Sequence, residues 1–255
     1  METNKPSDGR EAGLSATIPT GCKLLRRESG PGDPPAMPRI RIAACDARSH
    51  EEICALLAEA FHAKFHTLLR LDDRRTAQLL ERAWPFEQTN GTRQFGLFDE
   101  SSLPEDGGTP LGTIALKWQP DSLEGSRQDG VKQPELRTLL REFGPVAGLR
   151  FAVGMAALAY EPPAGECYIE HLAVRPDCRG HGFGRLLLEH AADFAEKVGS
   201  GSLSLHVSQR SEDAVRLYEK AGFESVRAER RRLCGYLLGE PQWRFMIRGI
   251  RKEET

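Results

Sequence analysis

Between residues 166 and 221 the hydrophobic pattern switches repeatedly between strand and helix periods, and this restricts the fold more than any other feature of the chain. Glu166–Val174 reads as a strand, and Arg179–Gly184 is a glycine-rich turn. Phe183, Leu186, Leu187, His190, Phe194 and Val198 then share one face of a helix that Gly199 and Gly201 end. Leu203, Leu205 and Val207 alternate as a buried strand, and Glu212–Ala221 forms a short helix closed by Gly222. Such a succession requires a sheet with helices laid on it.

The flanking sequence extends that architecture. Ile40 and Ile42 alternate like a strand, whereas Ile53, Leu56, Leu57, Ala60 and Phe61 recur at helical spacing. A second helix is expected near Arg74–Trp84, stopped by Pro85. Gln94–Phe98 and Leu111–Trp118 read as strands, with Ile114, Leu116 and Trp118 on one side. The turn-rich Ser101–Pro110 joins them into an antiparallel hairpin. Pro120–Gln133 is polar and rich in breakers, as a mobile loop would be. Pro134–Tyr160 reads as one or two helices interrupted near Gly144-Pro145, a helical insert around 134–160. Trp243, Phe245 and Ile247 close the chain as a terminal strand. The expectation is one mixed α/β domain over 39–255, a central mixed sheet flanked by helices in the order β-α-α-β-β-α-β-α-β-α-β-β. Residues 1–38 carry six of the sixteen prolines and too little apolar surface to offset the entropy of ordering. They are expected to be a disordered extension.

Charge and apolar runs exclude several function classes. Lys and Arg number 35 against 37 Asp and Glu, a net charge of -2, so no basic excess points to nucleic acid. The longest apolar run, Phe151–Tyr160, is about half of the roughly 20 residues that cross a membrane. Met1–Pro6 lacks the apolar core of a secretory signal, so a cytoplasmic protein without a membrane partner is expected. Cysteines 22, 45, 54, 167, 178 and 234 show no C-x-x-C pairing and read as free thiols. His62 and His66 sit at i, i+4 with no third ligand nearby in sequence, and no metal is expected.

The chemistry is concentrated in Arg179-Gly-His-Gly-Phe-Gly184. A helix start presents unpaired N–H groups and a positive dipole end. Gly180, Gly182 and Gly184 leave those groups open to phosphate oxygens, and Arg179 and Arg185 add positive charge. The dinucleotide fingerprint fails because Arg185 stands where its third glycine belongs, and no P-loop pattern occurs. Taken alone, the turn is equally compatible with a tight strand-to-helix connection.

The words around it are more specific. Ile169–Gly184, followed by Leu205-His-Val207 and Ser211-x-x-Ala-x-x-Leu-Tyr-x-Lys-x-Gly-Phe223, resembles two signatures of the GNAT superfamily of acyl-CoA-dependent N-acyltransferases, in the right order and spacing. The resemblance covers 167–223 at motif level and implies an N-acetyltransferase using acetyl-CoA as cosubstrate. Leu172, Ala173 and Val174 would lie along the pantetheine arm, and Arg179, Gly180, His181, Gly182, Phe183, Gly184 and Arg185 would hold the pyrophosphate. Ser211 stands where many relatives carry Asn; a hydroxyl there still makes a hydrogen bond, with shorter reach. The other substrate would be an amine on a small molecule or a protein, and a homodimer stays open.

An alkylamine must lose a proton before it attacks a thioester. Glu170 is the candidate base, directly or through water, with His171 as competitor; strand alternation sends the two to opposite faces. Tyr218, with a phenol pKa of about 10, is the candidate acid for the departing thiolate, against the plainer reading of a core tyrosine. Lys220 reads as solvated. Arg227, Arg230, Arg231 and Arg232 read as a solvated hairpin edge, or as a site for an acidic substrate or the adenosine 3′-phosphate. A catalytically silent acyl-CoA-binding module is the alternative to an enzyme. Acceptor choice belongs to residues 50–92 and 119–165.

Overall fold

The computed structural model describes residues 40–84, 91–99, 109–120 and 136–250. The expected N-terminal extension (1–38), Pro85, most of the hairpin loop (101–108) and the breaker-rich segment up to residue 135 lie outside the described residues, apart from Pro120.

The elements run β1 (Ile40–Ala44), α1 (His50–Ala60), α2 (His62–Leu69), α3 (Asp73–Ala83), β2 (Thr92–Asp99), β3 (Gly112–Trp118), α4 (Leu136–Phe143), α5 (Pro145–Leu158), β4 (Glu166–Val174), α6 (Phe183–Lys197), β5 (Ser202–Ser208), α7 (Glu212–Lys220), β6 (Glu224–Arg230), α8 (Arg232–Leu238) and β7 (Gln242–Gly249). The strands form one sheet in the order β1-β2-β3-β4-β5-β7-β6. β4 and β5 run parallel and the other neighbours antiparallel, so the sheet is mixed as expected.

Each face of the sheet carries its own core. On one, Leu187, Leu188, Ala191 and Ala195 of α6 pack on Ile114, Leu116, Ile169 and Leu203. On the other, α1, α3, α5 and α8 supply Ile53, Leu57, Leu80, Phe151 and Leu237 around Trp243. Three alanines of α6 are among its buried residues, whereas Leu186, Phe194 and Val198 are only partly buried at the rim. The stripe read from large side chains is therefore rotated, because small residues let the helix axis approach the strands.

Local chemistry sets the helix ends. The Asp72 carboxylate accepts from the Arg75 N–H at 2.8 Å and caps α3. Gly144, at φ 87°, and Pro145 at the first helical position split the insert into α4 and α5. Two helices were not foreseen. α2 begins after a single intervening residue, Phe61, and closes at Arg70 with a left-handed φ of 58°. α8 grows out of the arginine run that read as a hairpin edge. Arg150 ties these additions together: its guanidinium donates to the carbonyls of Leu68 at 2.5 Å, Thr67 at 3.0 Å and Leu237 at 3.5 Å. Those carbonyls end α2 and α8 and have no partner within their own helices.

Candidate active site

Two irregularities of the sheet create the site. β3 and β4 pair Leu116 with Ile169 and Ala115 with His171, which leaves Glu170 as an extra residue in a β-bulge. Cys167 and Ile169 face the α6 core, and so do Leu172 and Val174 beyond the bulge. Glu170 and His171 therefore both line the cleft, and the expectation that alternation would separate them is overturned. The second irregularity is a splay. β4 and β5 pair only from Glu166 with Ser202 to Ile169 with Leu205. Beyond that point β4 follows β3 and β5 follows β7, opening a notch between the two halves of the sheet. Among the described residues the edge of Glu170–Val174 that faces β5 has no strand beside it, and such an edge is where an extended chain docks by strand addition.

At the far end of β4 a short 3-10 turn, Pro176–Cys178, leads into the glycine loop. Gly180 and Gly182 hold φ of 81° and 84°, and a Cβ at either would meet nothing within 4 Å among the described residues. Their conformation favours glycine, and the space above them is open. α6 makes its first backbone bond from Leu186 to the Gly182 carbonyl at 3.1 Å, so the N–H groups of Phe183, Gly184 and Arg185 precede the ladder. Gly184 has a packing role as well: a Cβ there would lie 2.9 Å from Leu217 Cδ2, so its absence lets α6 start against α7. The two loop arginines differ from a simple phosphate clamp. Arg179 donates to the carbonyls of Val174 at 3.2 Å and Ala60 at 3.3 Å, fastening the loop to β4 and to the end of α1. Arg185 is exposed and pairs with Glu189 at 2.8 Å. The His181 ring lies 3.2 Å from the Cys178 carbonyl. Ser211 is the N-cap residue of α7 without a side-chain cap bond, and it lines the cleft.

That cleft has a volume of about 940 Å³ and brings Glu170, His171, Ser211 and Tyr218 together with Ala152, Met155 and Ala156 of the insert. Glu170 keeps an exposed edge, yet loss of water around its carboxyl pushes its pKa up, with Lys117 opposing and Glu161 reinforcing. Burial holds the His171 imidazole at about 4, neutral at physiological pH. Its Nε2 lies 3.3 Å from the Gln94 amide nitrogen, and its Nδ1 has no hydrogen-bond partner among the described residues. Tyr218 is buried beside Phe223, and burial pushes its phenol to about 12. Lys220 is exposed.

The arginine run divides. Arg227 and Arg230 lie on the exposed edge strand β6. Arg231 turns inward, 2.8 Å from Glu229 and over the Trp243 ring, and lines the cleft, which corrects its reading as a solvated edge. His62 pairs with Asp73 at 2.6 Å, and its imidazole stacks on that of His66 at 5.7 Å. Lys64, Tyr160, Tyr168 and His206 also line the cleft and were missed. The helical spacing of Phe61, Phe65 and Leu68 was the available signal for Lys64, because it identifies α2.

The family model "Acetyltransferase (GNAT) family" matches residues 66–223. Streptothricin acetyltransferase of Streptomyces lavendulae is 35% identical over 114 residues, 45% of this chain and 59% of that protein. Peptidyl-lysine N-acetyltransferase YjaB of Escherichia coli is 36% identical over 92 residues, 35% of this chain and 58% of that protein. The chain thus spans less than two thirds of the length of these curated relatives. Arabidopsis thaliana NAA60, solved in complex with acetyl-CoA, superposes with a TM-score of 0.50 at 14% identity, covering 83% of this chain and 98% of that one, a likeness of fold. The bulged and splayed strands, the open glycine loop and the extent of the family match lead to one conclusion: this chain belongs to the acetyltransferase (GNAT) family.

Proposed function

We propose that the protein is an N-acetyltransferase that moves the acetyl group of acetyl-CoA directly onto a primary amine held in the same cleft. The observation that carries this reading is the cleft itself: a carboxylate on the bulge and a phenol on α7 line one notch, and the open glycine loop follows at the far end of the same strand β4. The N–H groups of Phe183–Arg185 bind the pyrophosphate, and the free edge of β4 from Glu170 to Val174 takes the pantetheine as an added strand. Val174 offers its N–H there, since Arg179 occupies its carbonyl.

Glu170 removes a proton from the bound ammonium, directly or through a water, and the freed amine attacks the thioester carbonyl. A carboxyl pushed above the usual range is a stronger base near neutral pH than an ordinary one. An imidazole held near 4 is a weaker base than free histidine, so Glu170 takes precedence over His171. As the C–S bond breaks, Tyr218 donates its hydroxyl proton to the sulfur, and the proton that the new amide nitrogen sheds restores the phenol. Its raised pKa keeps that hydroxyl protonated throughout the working pH range. The α5 residues Met155 and Ala156 wall the amine's side of the cleft. A panel of amines scored by release of free coenzyme A tests the reading. Transfer to at least one class of amine is expected, and thiol release that no amine stimulates would refute it.

A further inference from the structure

Four cations, Lys64, Arg93, Lys117 and Arg231, line the cleft, and Glu170 is its one carboxylate among the described lining residues. Two of the four converge on a single indole. The Lys64 ammonium lies 5.6 Å from the Trp243 ring centroid and 5.6 Å from that of Phe61, and the Arg231 guanidinium lies 6.0 Å from the Trp243 ring. Aromatic faces hold cations in their charged form. The nearby carboxylates stand outside the cleft, although Glu229 already pairs with Arg231 from behind. Glu240 receives the Ser208 hydroxyl at 2.5 Å, and Glu229 is shared between Arg227 and Arg231; neither lines the cleft. Lys64 has lost much of its water, which depresses its pKa, and an incoming anion restores a partner to it.

We propose that Lys64 and Arg231, fixed over Trp243, seat a carboxylate of the acceptor, so that the enzyme acetylates amines bearing an acid group in preference to di- and polyamines. The proposal rests on the N-acetyltransferase reading above and deepens it. A second cationic group on the acceptor would meet like charges at this end of the cleft, whereas a carboxylate finds complementary potential.

The test uses the full chain and matched acceptors that differ by one carboxylate: lysine with cadaverine, phenylalanine with phenethylamine, and γ-aminobutyrate with propylamine. At least one acid-bearing member should show kcat/KM ten times that of its partner or more, through KM. Lys64→Met, which keeps a long side chain on the two rings, should reduce that preference to within threefold. Equal or better turnover of the amines without a carboxylate would overturn the proposal while leaving the transferase reading standing. A loss of coenzyme A affinity in Lys64→Met would overturn it too, because the cations would then serve the donor's phosphates. Failure to acetylate any member of any pair would overturn the proposal, and thiol release unresponsive to every other amine would overturn the transferase reading with it.

Discussion

Replacing Gly182 by alanine separates a ligand-binding loop from a merely tight turn. Gly182 holds φ 84° and Gly165, in the turn before β4, holds φ 79°; a Cβ at either meets nothing within 4 Å. Neither substitution clashes, so each carries mainly the left-handed backbone cost of about 1–2 kcal/mol. In a chain of this size that is a fall in Tm of roughly 2–8 °C, equal at the two positions. The consequences for the ligand differ. At Gly182 the backbone relieves its strain by rotating the N–H groups of Phe183 and Gly184, which the proposed pyrophosphate site needs in register. Coenzyme A affinity should fall at least tenfold in Gly182→Ala, about 1.4 kcal/mol, and hold in Gly165→Ala. Gly182→Asp tolerates the left-handed backbone better than alanine but sets a negative charge against the phosphates, so its affinity should fall further, by about a hundredfold or more. Calorimetric titration with coenzyme A, beside thermal unfolding of each variant, reads both quantities. Equal stability losses with wild-type affinity in all three variants would refute the assignment of the loop.

Tyr218→Phe keeps the ring packed against Phe223 and removes only the hydroxyl; kcat should drop by about 10²–10⁴-fold with little change in acetyl-CoA affinity, and wild-type turnover would return Tyr218 to a packing role. In the proposed mechanism Glu170 works ionised, so kcat/KM should decline as pH falls through a value above the usual carboxylate pKa of about 4.3. Glu170→Gln should abolish that limb, and its loss in His171→Ala instead would transfer the role to the imidazole. Arg150→Ala leaves the carbonyls of Thr67, Leu68 and Leu237 without their donor; a loss of about 1–3 kcal/mol in urea unfolding is expected, and an unchanged midpoint would contradict its tying role.

Periodicity made most of the sheet legible. The limits of β4 coincide with the expected Glu166–Val174, and the split of the insert at Gly144-Pro145 was visible because glycine and proline act through their own backbone chemistry. The bulge at Glu170 was not legible. Alternation treats a strand as uniform, and an extra residue appears only through pairing with β3, a contact remote in sequence. The splay between β4 and β5 escaped for the same reason, since Leu205 and Val207 look alike in sequence but Leu205 makes the last β4 pairing and Val207 lies beyond it. α8 was masked by charge: Leu233, Leu237 and Leu238 have helical spacing, but the preceding arginines read as an exposed edge. The electrostatic character of the cleft was equally hidden. Lys64, Arg93, Lys117 and Arg231 come from four separate elements or loops, and no local window brings them together.

The central claim is that donor and acceptor share one cleft and react directly. Acetyl-CoA labelled in its acetyl group, mixed with excess enzyme and an accepted amine and quenched within a single turnover, tests this most directly. The account predicts label passing from acetyl-CoA to the N-acetyl product, with none on the protein at any time point. Label that accumulates on the protein and then chases into the amine would contradict direct transfer, and label that appears only as free acetate would contradict amine acetylation altogether.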